Sequence, residues 1–377
     1  MKRVRMLSLF VGLFVLLLLP VARAAAAATD VWLDLGTALN GQATKPSASD
    51  VSTVEAALSP SNPATVPFWH SSFAYQGVTY PYQMVGTDPS GPAATTVVPT
   101  VIIPIDLTFH DVRGDASSTL NGSSIAGIAA SSPLFNATTF AATGDTTQYG
   151  DSIQRAEFAG VLGSPRYHVL LGTPTVAPAA HIDVPASKGY VDDPVGDGVS
   201  RGFITDSVWW RAQRRNLIDT YGITPNELVI MLTKDMAVGL ALGVHSARAT
   251  GSHIQTSIWA SWLSPRWAVP FGFQPSFDQD IQGLGHEVAE WLNDPFDGNS
   301  TPPWSFTLPP LVPQACSNAL EVGDPLELAQ FPVTLGATTY HFQDEAFLSW
   351  FARQTPSIGY LGRYSFTGTF TSYSTPC

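Results

Sequence analysis

The residues best equipped for chemistry lie in one decapeptide, His286-Glu287-Val288-Ala289-Glu290-Trp291-Leu292-Asn293-Asp294-Pro295. On a helix of about 3.6 residues per turn, positions i and i+4 stack on one face. His286 and Glu290 can therefore grip the same ion. Glu287 projects beside that face, where a carboxylate can take a proton from a water polarised by the ion. This is the logic of the HExxH zinc peptidases. Here Glu290 stands where the second histidine would be, so the pattern is HExxE. An ordinary amphipathic helix with Glu290 on its exposed face produces the same letters, so the pentapeptide alone is weak.

Its surroundings strengthen it. Between Asp278 and Asp324 the chain also places Asp280, Asp294, Asp297 and Glu321, in a sequence only 13% charged. The helix supplies two ligands, and Glu321-Val322-Gly323-Asp324 is the best-placed source of a third. His286, Glu290 and Glu321 are thus the expected metal ligands and Glu287 the general base. Asp294 and Asp324 are expected as further ligands or their supports. His245 and His253, upstream, are candidates to orient the ligands by hydrogen bonds. One imidazole with two carboxylates is a harder donor set than two imidazoles with one. Zn²⁺ remains the first expectation, with Ca²⁺ and Mn²⁺ open.

The elements that must position these groups are legible in outline. The ligand helix should run from Gln282 to Asn293, because Asp294 precedes a proline and disfavours the α conformation. His253 to Trp262 alternates apolar and polar residues like a half-buried strand, and Glu227 to Met236 reads as a short buried strand. Thr205 or Asp206 can cap a helix from Ser207 to Tyr221 that stops at Gly222. Ser123–Ala130 and Thr147–Phe158 are further helix candidates. Val97 to Phe109 is β-branched but contains Pro99 and Pro104, which predicts a strand broken by bulges or lying at an edge. A strand is expected near 331–342 and a helix near 344–353. The fold class is α+β, a twisted mixed sheet in which the metal-ligand helix follows an edge strand, with long loops.

The first residues set the compartment. A basic start, an apolar stretch from Leu7 to Val21 and small residues from Ala24 to Ala28 read as a secretory signal peptide over 1–28. Its removal takes away Lys2, Arg3, Arg5 and Arg23, making the net charge of −12 still more negative. Such a surface repels nucleic acid and anionic membranes. Residues 29–95, rich in Pro, Ser and Thr, read as an irregular or β N-terminal extension, and 96–377 as the main domain. Cys316 and Cys377 are the two cysteines, and export predicts that they pair.

HEVAEWLNDP followed by LEVGD resembles exported bacterial proteins that carry HE-x-x-E-x-x-x-DP and then Glu-x-Gly-Asp. It is also similar to the HELAE-type segment of plant EXORDIUM-like, phosphate-induced extracellular proteins. Both look like divergent zincins. The likeness spans roughly 240–350, including GVHSARATG before the helix and YHFQDEAFLSWF after it. It implies a zincin-like fold, His286 and Glu290 as metal ligands, Glu287 as base, and Asp294 and Glu321 as further ligands or supports. Two positions depart from the pattern. Peptidase zincins have histidine where this chain has Glu290, and Pro325 follows Gly-Asp while Cys316 precedes it.

The expected activity is that of a secreted, divalent-metal-dependent hydrolase acting on peptides, with substrate laid along His253–Trp262 by strand addition. The alternative is a non-catalytic extracellular protein whose acidic cluster holds a structural ion. A glycoside-active enzyme is a third reading, since ten tryptophans can stack sugars. Asp235, Ser246 and His253 could form a nucleophile triad, but no Gly-x-Ser-x-Gly elbow accompanies them. Asn121, Asn136 and Asn299 begin glycosylation sequons.

Overall fold

The computed structural model describes residues 64–194, 196–239, 241–250, 253–265, 280–308, 312–373 and 377. The signal segment, residues 29–63 and Asp278 lie outside this range. Seven strands form the central sheet: the main path is β1 (Thr100–His110), β2 (Ala180–Val184), β3 (Leu228–Lys234), β4 (Gly243–Thr250) and β5 (His253–Trp262), and two shorter strands, Ala116–Asn121 and Thr175–Val176, also pair with β1. The spatial order along the main path is β2-β1-β3-β5-β4. β1, β2, β3 and β5 run parallel, and β4 returns antiparallel from β5. The molecule is thus α+β with a mixed sheet.

Sequence and structure differ at the edge. β5, which leads into the ligand helix, pairs with β3 on one side and β4 on the other. It is therefore internal, and among the described residues β4 is the edge on that side. β5 is almost wholly buried, as a strand covered on both faces must be. The run expected over 97–109 does break at Pro99, which separates Thr95–Val98 from β1, but β1 itself is internal and continues through Pro104. Its neighbours change there: β3 ends its pairing at Pro104, while β2 begins at Ile105. Proline's missing donor is tolerated at that changeover.

Both faces of the sheet are covered, and strand alternation sorts side chains between them. Ile103, Val229, Met231, Val244 and Trp259 share one apolar cluster with Trp210, Leu217 and Ile218. Ile102, Leu228, Ile230, Ile258 and Ala260 share the other with Leu284, Val288, Trp291 and Leu292. The first set lies under helix α3 (Ser207–Tyr221) and the second under α4 (Gln282–Asn293); α1 (Ser123–Ala130) and α2 (Tyr149–Glu157) precede them. Asp206 caps α3 by accepting from the Trp209 amide, and Gly222 ends it with a left-handed φ of 62°. Of the adjacent tryptophans, Trp210 enters the core while Trp209 sits at its margin.

A hairpin of Phe68–Tyr75 and Val78–Val85 packs Trp69, Tyr82, Met84 and Val85 into the cluster beneath α4. The segment expected as one strand near 331–342 is a hairpin, Gln330–Leu335 with Thr338–Gln343, turning at Gly336. The helix expected near 344–353 shortens to one turn, Leu348–Phe351. Asp344 explains the difference: its carboxylate accepts from Ser365, Thr367 and the Glu345 amide, holding the chain in a loop. Cys316 and Cys377 form a disulfide. No helix among the described residues is long and apolar enough to cross a membrane.

Candidate metal centre

Helix α4 is almost wholly buried, which its sequence permits because two different surfaces receive it. At roughly 100° per residue, Leu284, Val288, Trp291 and Leu292 fall on one arc, while His286, Glu287 and Glu290 fall on the opposite one. The apolar arc joins the core. The polar arc meets His245 on β4 and the segment Glu321–Asp324.

His286 Nε2 lies 3.1 Å from Glu290 Oε1 and 3.7 Å from Asp324 Oδ1. His245 Nδ1 lies 3.3 Å from Glu287 Oε2 and 3.5 Å from Glu290 Oε2, and its Nε2 is 4.0 Å from Glu321 Oε2. Two triads result, His286–Glu290–Asp324 and His245–Glu290–Glu321, each with ligand atoms within 4.8 Å of one another. Glu290 belongs to both. The expected set of His286, Glu290 and Glu321 is thus redistributed: Asp324 stands beside His286, while Glu321 stands beside His245.

The second layer fixes the first. His286 Nδ1 is 3.1 Å from Gln343 Oε1, an acceptor, so Nδ1 donates there and Nε2 is the nitrogen turned toward Glu290 and Asp324. Gln343 is itself held, donating from Nε2 to the Gly323 carbonyl at 2.5 Å and accepting from Gln282 Nε2 at 2.8 Å. Gln330 Nε2 donates to Gln282 Oε1 at 2.7 Å. Gly323 also donates its amide to Glu290 Oε1 at 3.2 Å. Two glycines make room. A Cβ on Gly323 would run into the His286 ring, and one on Gly243 would stand 2.5 Å from Glu287 Cγ.

Burial opposes charge throughout this cluster, and neighbours decide who keeps it. Burial alone would depress both imidazoles. Glu321, Glu287 and Glu290 outweigh it at His245, and Glu290 does so at His286, so both rise well above their ordinary value. Burial also opposes ionisation of Glu290, but His286 and His245 pull it far below the usual carboxylate range. Glu287, Glu321 and Asp324 are pushed up, first by burial. His245 Nε2 is buried without a hydrogen-bond partner. Nitrogen and oxygen donors converging with one unpartnered nitrogen suit a divalent ion with mixed ligands.

Other expected residues sit elsewhere. Asp294 spends both oxygens on the amides of Gly298 and Asn299, at 3.0 and 2.8 Å, securing the chain as it leaves α4. Burial pushes its carboxyl up to about 6. His253 opens β5 opposite Thr250, five residues from Ile258, the partner of His245. That is roughly 17 Å along the strand, too far to support the ligands. Asp280 accepts from the His341 amide at 2.9 Å, tying the hairpin to the start of α4. Asp235, Ser246 and His253 form no triad: Asp235 holds Ser264, and Ser246 Oγ lies 3.2 Å from Ser257 Oγ.

Sequence reasoning missed Gln282, Gln330 and Gln343, because neutral amides carry no metal signature. It also missed Glu345, whose Oε1 accepts from Tyr149 at 2.9 Å while its buried Oε2 has no partner. The run of three consecutive polar residues Gln343-Asp344-Glu345 between apolar neighbours was the available signal. Compared with known proteins, the chain matches no family model, no curated protein and no solved structure.

Proposed function

We propose that this chain is an exported, divalent-metal-dependent hydrolase with peptidase-like chemistry, zincin-like in its arrangement. The observation carrying the reading is the approach of His286 Nε2 to Glu290 Oε1 at 3.1 Å and Asp324 Oδ1 at 3.7 Å, with Nδ1 tied back by Gln343. A divalent ion, zinc first and manganese or calcium next, supplies Lewis acidity and an acidified water when bound. The protein's part is then to hold that ion, accept a proton and orient the substrate. Glu287 is the proton acceptor, and burial raises its affinity for protons. His245 Nδ1 orients it from 3.3 Å. A peptide would lie along the edge strand β4, which carries His245, by strand addition.

Glu287→Gln tests this directly. Hydrolysis of an unstructured protein substrate should fall at least ~100-fold while metal content stays at the parental level. Hydrolysis at the parental rate would refute the assignment.

Burial favours a second reading. His286 is 7% exposed and Glu287 and Glu290 are each 2% exposed, enclosure that suits a structural ion in a binding protein. A 480 Å³ cavity lined by Trp69, Phe73, Tyr82, Phe158 and Arg353 lies away from the metal centre and would then serve the ligand. Under this reading a chelator lowers thermal stability and no hydrolytic activity accompanies the ion.

A further inference from the structure

The two oxygens of Glu290 point to different places. Oε1 faces His286 Nε2 at 3.1 Å, and Oε2 faces His245 Nδ1 at 3.5 Å. Each imidazole has a second carboxylate of its own: Asp324 Oδ1 lies 3.7 Å from His286 Nε2, and Glu321 Oε2 lies 4.0 Å from His245 Nε2. We infer that the centre is built for a pair of divalent cations, one held by His286 and Asp324, the other by His245 and Glu321, with Glu290 bridging them. This rests on the metal-dependent reading above and specifies its stoichiometry.

Spacing supports it. A hard divalent ion with bonds of about 2.1 Å places opposite ligands about 4.2 Å apart at most, so each triad is near ligand spacing. The ligand atoms of each triad already lie within 4.8 Å of one another. A carboxylate using both oxygens spans two ions about 3.5–4 Å apart, as in two-metal hydrolytic sites. Each imidazole gives its ion a single nitrogen: Nε2 on His286, and on His245 one nitrogen from which an oxygen of Glu290 and one of Glu321 both lie within 4.8 Å. Gln343 holds Nδ1 of His286, leaving Nε2 inward, and His245 Nε2 is buried with no other partner.

Charge points the same way. Glu287, Glu290, Glu321 and Asp324 are buried or nearly so and share the cluster with two imidazoles. With one ion bound, the remaining buried carboxylates have to be neutralised by protons or by a second cation, because a buried unpaired charge is costly. Glu290 also explains the departure from HExxH. An imidazole nitrogen can hold one ion, whereas a carboxylate at that position can hold two.

The test is metal stoichiometry on the full chain, stripped with chelator and reloaded with Mn²⁺, read by elemental analysis and electron paramagnetic resonance. The parent should take up about two equivalents and show the spectrum of an exchange-coupled pair. Asp324→Asn and Glu321→Gln should each fall to about one equivalent and give the spectrum of isolated ions. One equivalent in the parent, with an uncoupled spectrum, would overturn the pair while leaving a single-metal centre standing. No bound metal in the parent would overturn both the pair and the reading on which it rests. The parental measurements decide the matter even where a variant folds poorly.

Discussion

Gly323→Ala isolates the fit between the Glu321–Asp324 segment and the metal-binding imidazole. Gly323 has φ of −81° and ψ of −39°, a conformation open to any residue, so backbone freedom does not explain the glycine. The ring of His286 does. A Cβ here would stand 2.6 Å from Cε1 and 2.9 Å from Cγ of that ring, against an ordinary contact of about 3.5–4 Å. Ring or segment must therefore move by about 1 Å, which loosens the Nδ1 contact with Gln343 and turns Nε2 away from Glu290. Losing such support costs about 10–100-fold in metal affinity, equivalent to roughly 1.4–2.7 kcal/mol. Overpacking should add about 1–3 kcal/mol to the loss of stability. The assay is competition with a chromogenic chelator, alongside urea unfolding of the metal-free form. Gly127→Ala in α1 is the control: nothing lies within 4 Å of its Cβ position, and alanine there should stabilise by up to about 1 kcal/mol. Parental metal affinity in Gly323→Ala would refute the argument that this glycine exists to admit the imidazole.

Gln343→Leu should weaken metal binding about 10–100-fold with little change in α4, because it frees the His286 tautomer; unchanged affinity would exclude that role. Glu157, buried on α2, has its carboxyl pushed up to about 8 by burial. A folded-state value above the unfolded one means its contribution is intact below about pH 4.5 and lost as pH rises through about 8. Glu157→Gln, which retains an acceptor for the Leu348 amide, should flatten this loss, an effect of about 5 kcal/mol at most, read by urea unfolding across pH. Cys316→Ser should destabilise by about 4 kcal/mol on loop-closure grounds for a separation of 61 residues, measured as a shift in the urea midpoint.

Much of the local structure was legible because local rules govern it. α4 spans Gln282–Asn293 as predicted, since Pro295 sets its end and its apolar spacing sets its face. Asp206 and Gly222 bound α3 for equally local reasons. Pairing of Cys316 with Cys377 followed from there being two cysteines. Strand order was not legible. β5 has the alternation of a half-buried strand, yet both its sides are paired: β4 is its neighbour across residues 251–252, whereas the parallel pairing with β3 is a long-range one that no local property of β5 encodes. The one-turn helix at Leu348–Phe351 likewise reflects contacts of Asp344 with residues some twenty positions away.

The sequence by itself determined that His286, Glu287 and Glu290 share one helical face, because the helical period makes that unavoidable once the helix forms. It also marked Glu321–Asp324 as the acidic segment that would meet them. Only the tertiary structure decided which acid stands beside which imidazole. His245 enters because it pairs with Ile258, and the parity of the sheet turns both toward α4 while Val244 faces α3. Asp324 stands with His286 because Gly323 allows the backbone to pass against the ring. His253, on the same hairpin as His245, is carried away along the strand. Spacing within an element is fixed by bond geometry and can be read from letters. Distances between elements depend on register and close packing, which belong to the whole fold.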